Sequence, residues 1–370
     1  MTKPVRVLHI VTYMGRGGLE SMIMNYYRHM DRSQVQFDFL VHRDFEADYD
    51  QEILSLGGKI YHVSRLVPWS RRYQAELKQF FKNHPEYKIV HVHQDCLSSV
   101  ALKCAKECGV PVRIAHAHSN SAVKNLKYPI KSFYKKKISK YATQLFACSK
   151  QAGKWMFCGS PFTVITNAID VQSFQFSADA AREMRTALNI QNQFVIGHVG
   201  RFRPEKNHSF LIDIFSQIVK TAPDSILLLI GDGELQAEIV NKVNYLGLSN
   251  NVCFLGSCAN VNQLLQAIDV FVFPSLYEGL GISVLEAQAA GLPCIISSSI
   301  PKDCLVTNLV TQMSLQESPE RWAAEILMHR NHHHEDTSSQ ICNATFDITE
   351  NSNKLQEFYI KALEGTQNEQ

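Results

Sequence analysis

No stretch of 18 or more apolar residues occurs in the 370-residue chain, so the sequence offers no candidate for a helix that crosses a membrane. The opening residues, MTKPVRVLHIVTYMGRGG, are broken by polar and charged side chains where a signal peptide needs a continuous apolar run. A soluble, non-secreted protein is expected. Ten cysteines include no CxxC pair, and the nearest two, Cys104 and Cys108, have helical spacing. This argues against a zinc knuckle or disulfide frame and for reduced, mostly buried thiols. A His-rich tract, NHHHED (residues 331–336), could bind metal adventitiously, but its polar setting favours a solvated connector. Acidic side chains are missing from one window: none lies between Glu107 and Asp170, although the chain is close to neutral at +2.

What is present is an apolar content of 45%, enough at this length for two globular cores. VRVLHIV reads as a strand, TYMGRGGLE as a glycine turn and SMIMNYYRHM as a helix. The alternation continues through the strand candidates VQFDFLVH, KIYHVS, KIVHVH and VPVRIAHAHS, with the helices QAELKQFFKNH and SSVALKCAKECG between them. After a less regular stretch at residues 168–193, a second series begins: strands FVIGHVGRF, SILLLIGDG, NVCFLG, DVFVFPS and PCIIS, separated by helical patterns. Strand–helix alternation of this length predicts βαβ units and parallel sheets, an α/β fold with two wound halves. Runs such as SILLLIG suggest sheets covered on both faces, which leaves ligands to the carboxyl ends of the strands.

Four of the loops there are unusual. GRGGLE (residues 15–20) opens the first helix, where bare N–H groups favour an anion; a tight structural turn explains it equally well. GRFRPEKNH puts Arg201 and Lys206 beyond a buried strand, where a guanidinium fork and an ammonium can grip a diphosphate from two directions. In YEGLGISVLEAQAAGLP, Glu278 precedes a helix that ends at Gly291 and Pro293, and Glu286 lies about a turn and a half inside it. Gly279, Leu280 and Gly281 form the turn between them, with backbone N–H groups that suit phosphate. Glu286 stands among Leu285, Ala287, Ala289 and Ala290, where an unpaired charge is costly. The fourth loop, IAHAHSN, carries His116 and His118, two apart and so on one face of a strand.

These motifs together resemble the retaining glycosyltransferases of the GT-B fold, specifically family 4 (group 1), with a signature of Glu, seven residues, Glu. EGLGISVLE matches it at Glu278 and Glu286, GRFRPEKN matches the companion Arg and Lys motif, and GGLE is similar to the family's glycine turn. VITNAID departs slightly, with Ala168 where related chains usually have Gly. The resemblance implies two Rossmann-like domains with parallel sheets facing a central cleft: an acceptor-binding domain at 1–170, a donor-binding domain at 171–345, and a C-terminal helix at 346–370 crossing back to the first. It implies that Arg201 and Lys206 hold the donor diphosphate, with Gly17 or Gly18 approaching it. Gly279, Leu280 and Gly281 would cradle phosphate, and Glu286 would bind the ribose. Glu278 would meet the transferred sugar, with His116 or His118 beside it as the remaining candidate catalytic group. The donor would be a UDP- or GDP-sugar. Neither a cofactor nor a metal is expected, because transfer in this family proceeds without one. The first half is most similar to enzymes of bacterial capsule and exopolysaccharide assembly. A nucleotide-sugar epimerase of the same architecture and a non-catalytic sugar-nucleotide binding module are the alternatives, against which the intact Arg201, Lys206, Glu278 and Glu286 count.

Inside the acid-free window lies KNLKYPIKSFYKKKISKYATQLF, where Lys124, Lys127, Lys131, Lys135, Lys136, Lys137 and Lys140 interleave with Ile130, Tyr134 and Ile138 at helical spacing. The expectation is that the apolar stripe packs internally while lysines, Lys131, Lys135 and Lys136 among them, face anionic lipid. That would place a cytoplasmic, peripherally bound protein near a glycan linked to polyprenyl diphosphate. Nucleic acid is not expected, since no recognition motif accompanies the charge.

Overall fold

The computed structural model describes residues 3–119 and 128–367, and Lys124 and Lys127 lie outside them. The chain forms two compact units, one of residues 1–168 with 348–370, the other of residues 169–347.

In the first unit β1 (Val5–Ile10), β2 (Val35–Val41), β3 (Ile60–His62), β4 (Ile89–Val92), β5 (Val112–Ala117), β6 (Gln144–Ala147) and β7 (Thr163–Val164) form one sheet in the order β3-β2-β1-β4-β5-β6-β7. Every pairing in it is parallel. Reversal of the order beside β1 is the doubly wound pattern, whose crevice lies at the carboxyl ends of the strands. All seven residues of β2 are buried, as a strand covered on both faces requires. That position makes Asp38 costly to bury, and it is fully satisfied: Arg6 grips both oxygens, Tyr87 donates to one at 2.8 Å and the Lys59 amide to the other at 2.7 Å. The last helix, Ile348–Gln367, packs on this unit, where Tyr359 is fully buried and the Asp31 amide donates to Gln356 at 2.7 Å.

In the second unit β8 (Phe194–Val199), β9 (Ser225–Ile230), β10 (Val252–Gly256), β11 (Val270–Phe273), β12 (Cys294–Ser297) and β13 (Val310–Met313) stand in the order β10-β9-β8-β11-β12-β13, again all parallel. The irregular stretch after residue 168 holds a helix, Ala178–Ala187, with no buried residue.

Two sequence expectations fail here. His334 is no solvated connector: its ring nitrogens lie 2.7 and 3.2 Å from the Ala290 and Ile268 carbonyls, and it stacks on Phe176 at 3.9 Å. Its ring is held because those two carbonyls follow a helix end and precede a strand and it reaches both, while Asn331, His333, Glu335 and Asp336 are exposed, as a solvated connector requires. The apolar stripe of the lysine-rich segment also divides. Ile138 is buried and Tyr134 packs on the core, whereas Ile130 is 38% exposed; Phe133, outside the stripe, is 55% exposed.

Candidate active site

The second unit brings the Arg/Lys motif and the two-glutamate motif together. Beyond β8 the chain passes Gly200 and Arg201 and is pinned by Phe202, which is fully buried. The Phe202 amide donates to the Asp232 carbonyl at 2.6 Å, and its own carbonyl accepts from Leu235 at 3.0 Å. That approach needs glycine at 231 and 233, where φ is +140° and +150° and a Cβ would lie 2.3 Å from the Gly200 oxygen and 2.6 Å from the Phe202 oxygen. The GDG turn is therefore a support for Arg201. Its two glycines around Asp232, directly after a strand, were the sequence signal for it.

Pro204–Lys206 then makes one 3₁₀ turn, and Asn207, at φ +57°, starts the helix His208–Thr221. Three contacts join this loop to the one after β11. The Asn207 side chain donates to the Pro274 carbonyl at 3.2 Å, the Leu276 amide donates to the Glu205 carbonyl at 2.8 Å, and Lys206 Nζ meets Glu278 Oε1 at 2.6 Å. The Lys206 ammonium also lies 4.6 Å above the Phe273 ring centre. Beneath it His198 and His208 pack ring to ring at 4.7 Å, and His208 stacks on Phe202 at 4.2 Å. Burial, with the Lys206 charge adding to it, pushes His208 down to about 4 and His198 well below its ordinary value. Both are neutral, so the cation above them meets no second positive charge. Sequence reasoning gave these two histidines no role, although they flank the motif.

Gly279, Leu280 and Gly281 lead into the helix Ile282–Ala289. Gly281 takes φ +93°, which favours glycine, while Leu280 is 3% exposed and anchors the turn in the core. The helix is held from below by Gln288, a fully buried side chain that donates to the Val284 and Cys304 carbonyls and accepts from the Val306 and Thr307 amides. Glu286 sits on this helix, half-buried. Its carboxyl has no hydrogen-bond partner among the described residues, and burial pushes it up to about 8. Near neutral pH it is mostly protonated, a poised group for a ligand with hydroxyls to offer.

In the first unit Gly17 precedes the helix Gly18–His29 in extended conformation. A Cβ on Gly18 would meet nothing within 4 Å, whereas one on Gly15 would strike the Tyr13 ring at 2.5 Å. The turn thus explains Gly15, and Gly18 leaves open space at the helix start. His116 and His118 share a face, as strand parity requires, but differ in setting. His116 is 1% exposed and pairs with His91 at 3.1 Å; His118 is half-buried and pairs with His93 at 2.9 Å. His118 is therefore the less buried of the two, just beyond the carboxyl end of β5.

Nitrogens of His9, His91 and His93, and of His93, His116 and His118, fall within 4.8 Å of one another, a spacing that a transition ion could use. Their pairing fits protons better. Facing nitrogens stand 2.9 to 3.1 Å apart in hydrogen-bond geometry, whereas two imidazoles on one zinc, with bonds of about 2.0–2.1 Å, sit roughly 3.3 Å apart with both lone pairs converging. No carboxylate or thiolate belongs to either group to offset a metal charge.

Of the lysines, Lys136 and Lys140 are exposed and Lys131 is half-buried. Lys135 departs from the expected lipid-facing set. Its ammonium donates to the Trp155 carbonyl at 2.8 Å and lies 4.3 Å over the Trp155 ring, because helical phase turns it toward Trp155. No helix among the described residues is long and apolar enough to cross a membrane.

Two family descriptions match the chain: glycosyltransferase family 4 over residues 16–173 and glycosyl transferases group 1 over residues 180–329. The chain is 38% identical over 332 residues to the putative glycosyltransferase EpsF of Bacillus subtilis, covering 87% of this chain and 86% of that protein. It is 30% identical over 237 residues to the UDP-Gal:alpha-D-GlcNAc-diphosphoundecaprenol alpha-1,3-galactosyltransferase of Escherichia coli, covering 60% of this chain and 61% of the other. The crystal structure of Anabaena HepE in complex with UDP-glucose superposes with a TM-score of 0.79 at 20% identity, over 96% of this chain and 99% of that one. Two parallel Rossmann-like sheets, the paired motifs on one of them and a relative matched along most of its length place this chain in the group 1, family 4 glycosyltransferases of GT-B fold.

Proposed function

We propose that the protein moves a hexosyl group from a nucleoside-diphosphate sugar, with retention and without a metal, to a glycan carried on polyprenyl diphosphate, in capsule or exopolysaccharide assembly. The observation that carries this reading is the 2.6 Å pair of Lys206 with Glu278 at the mouth of the helix Ile282–Ala289. Arg201 and Lys206 bind the donor diphosphate, joined by the backbone N–H groups of Gly279 to Gly281. Glu278 accepts hydrogen bonds from hydroxyls of the transferred sugar, and Glu286 from the ribose. As the glycosidic bond breaks, charge grows on the leaving diphosphate, and the fixed cations and helix start are already aimed at it. UDP is favoured as the donor nucleotide, in keeping with the UDP-sugar of the Escherichia coli relative and of HepE.

The test is a panel of UDP-, GDP- and ADP-sugars, read by thermal shift and slow hydrolysis, then by transfer to lipid-linked acceptors. A UDP-sugar that raises Tm and is turned over only with acceptor supports the reading; a folded protein indifferent to every donor and acceptor sinks it.

The exposed Phe133 and Ile130, with the exposed Lys136 and Lys140 of the same segment, make the membrane-facing surface in this reading. Each lysine near an anionic surface contributes about 1 kcal/mol. Replacing Lys136 and Lys140 by Gln together with Phe133→Ser is expected to lower partitioning onto phosphatidylglycerol vesicles at least tenfold. Lys135→Gln, by contrast, should leave partitioning nearly unchanged and lower Tm. Equal partitioning of all variants in a sedimentation assay would remove this surface from the proposal.

A further inference from the structure

Three segments of the first unit enclose a recess of about 130 Å³ that belongs to none of the family motifs. Pro68 and Gln74 come from the stretch after β3, Lys103 from the helix Ser98–Glu107 after β4, and Tyr134, Lys137 and Tyr141 from the lysine-rich segment after β5. The volume is that of several waters, room for a phosphate group. Two lysines and two tyrosines stand in its wall, and among the described residues no carboxylate does.

Both cations are accessible and weakly committed. Lys103 is 45% exposed, and its ammonium lies 3.6 Å from Glu107, whose other oxygen is held more closely by Lys78 at 2.6 Å. The Lys137 ammonium has no carboxylate partner among the described residues; it lies 3.7 Å over the exposed Phe133 ring and 6.0 Å over that of Tyr134. A cation seated on ring faces, in a stretch of chain without acids, keeps its capacity for an anion.

The stretch after β3 adds an apolar group next to this wall. Pro68 is buried, and the next residue, Trp69, is 64% exposed. Its backbone is held in place: the Gln74 side chain donates to the Pro68 carbonyl at 3.1 Å, the Ser70 amide to the Val67 carbonyl at 2.9 Å, and Ser70 Oγ accepts from the Tyr73 amide at 3.2 Å. Arg71 and Arg72 follow, both exposed. An amphipathic ring fixed in solvent beside cations suits the boundary between lipid headgroups and acyl chains.

We propose that this recess binds the phosphate of an anionic phospholipid, with Trp69 and Phe133 entering the headgroup boundary from two separate segments. The proposal rests on the membrane-facing reading of the lysine-rich segment, and gives it a headgroup site and a second contact. A protein partner fits the surface less well, because lysine is depleted at protein interfaces, whereas lysine beside tryptophan and phenylalanine is the composition of a membrane surface.

The test uses the full chain with vesicles of phosphatidylglycerol or of phosphatidylcholine. Of the three tryptophans, Trp322 is fully buried and Trp155 is half-buried beneath Lys135, so Trp69 should dominate the fluorescence response. Its emission should shift to the blue on phosphatidylglycerol and be quenched by lipids brominated on the acyl chain; Trp69→Phe should lose most of both changes. Lys103→Gln with Lys137→Gln should lower partitioning onto phosphatidylglycerol at least tenfold. Lys82→Gln with Lys88→Gln removes the same charge near the amino end of β4, and should change partitioning less than about threefold, since charges far from the surface are screened. Trp69→Phe alters only an exposed ring, which keeps the test open should the double lysine variant fail to fold.

Quenching that survives Trp69→Phe overturns this site. So does a recess variant that partitions like wild type while the variant lacking Phe133, Lys136 and Lys140 does not, and that result leaves the membrane reading standing. A wild type indifferent to both kinds of vesicle overturns both. A rise in Tm with inorganic phosphate that the recess variant loses, with vesicle binding unaffected, would assign the recess to free phosphate and overturn the lipid site.

Discussion

Replacing Glu278 by Gln lowers turnover at least tenfold while the protein stays folded. The carboxylate and its partner Lys206 are 14% and 17% exposed, between the limits of a surface pair worth about 0–1 kcal/mol and a buried pair whose breakage costs about 3–5 kcal/mol. A loss of about 1–2 kcal/mol in stability is expected, since the Gln oxygen can still accept from Lys206 and the ammonium keeps its seat above Phe273. Catalysis has no such reserve. A neutral amide binds sugar hydroxyls more weakly than a carboxylate and leaves the Lys206 charge without its counterion before the donor arrives. The comparison of kcat with Tm for both proteins decides it: full activity in Glu278→Gln would take this acid out of the mechanism.

The second large effect concerns Glu286 and pH. Its folded carboxyl titrates at about 8, raised from 4.5 by burial, so between those values the native state holds a proton that the unfolded chain has released. Stability from this residue is complete below about pH 4.5, falls as pH rises, and levels off above pH 8. Glu286→Gln lacks that loss. Its Tm relative to wild type should therefore rise from pH 5 to pH 8, by the equivalent of about 2 kcal/mol after allowing for the partial exposure of the side chain. A constant difference across that range would show an ordinary carboxyl. Hydroxyls donating to Glu286 favour its ionised form, so donor binding near pH 7 should release a proton, visible by calorimetry in two buffers of different ionisation enthalpy.

Much of this was legible in the chain itself. The strand-and-turn punctuation around Val5, Val35, Phe194, Ser225 and Val270 foretold parallel sheets, and of the Arg/Lys and two-glutamate motifs that carried the family resemblance the structure brings Lys206 and Glu278 into contact. Strand β6 and the edge strands β7 and β13 were not foreseen: QLFA, TV and VTQM lack the apolar runs that marked the equally short β4 and β11, IVHV and VFVF. Parity put His116 with His118 on one face, but the pairing of β1 with β4 that sets His9 opposite His91 is a register, and no single strand contains it. Lys135 was misjudged for a similar reason. Composition cannot tell a lysine that faces solvent from one whose stem lies along Trp155.

The return of the chain to the first unit at Ile348 orders the events of folding. During synthesis the second unit, residues 169–347, leaves the ribosome as one uninterrupted piece and can close at once, since domains fold as units when their sequence is complete. The first unit begins the chain but lacks its last layer until Tyr359 emerges to cover His91. The half translated first is thus finished last: the Tyr359 hydroxyl reaches His91 only after some 180 further residues have been made.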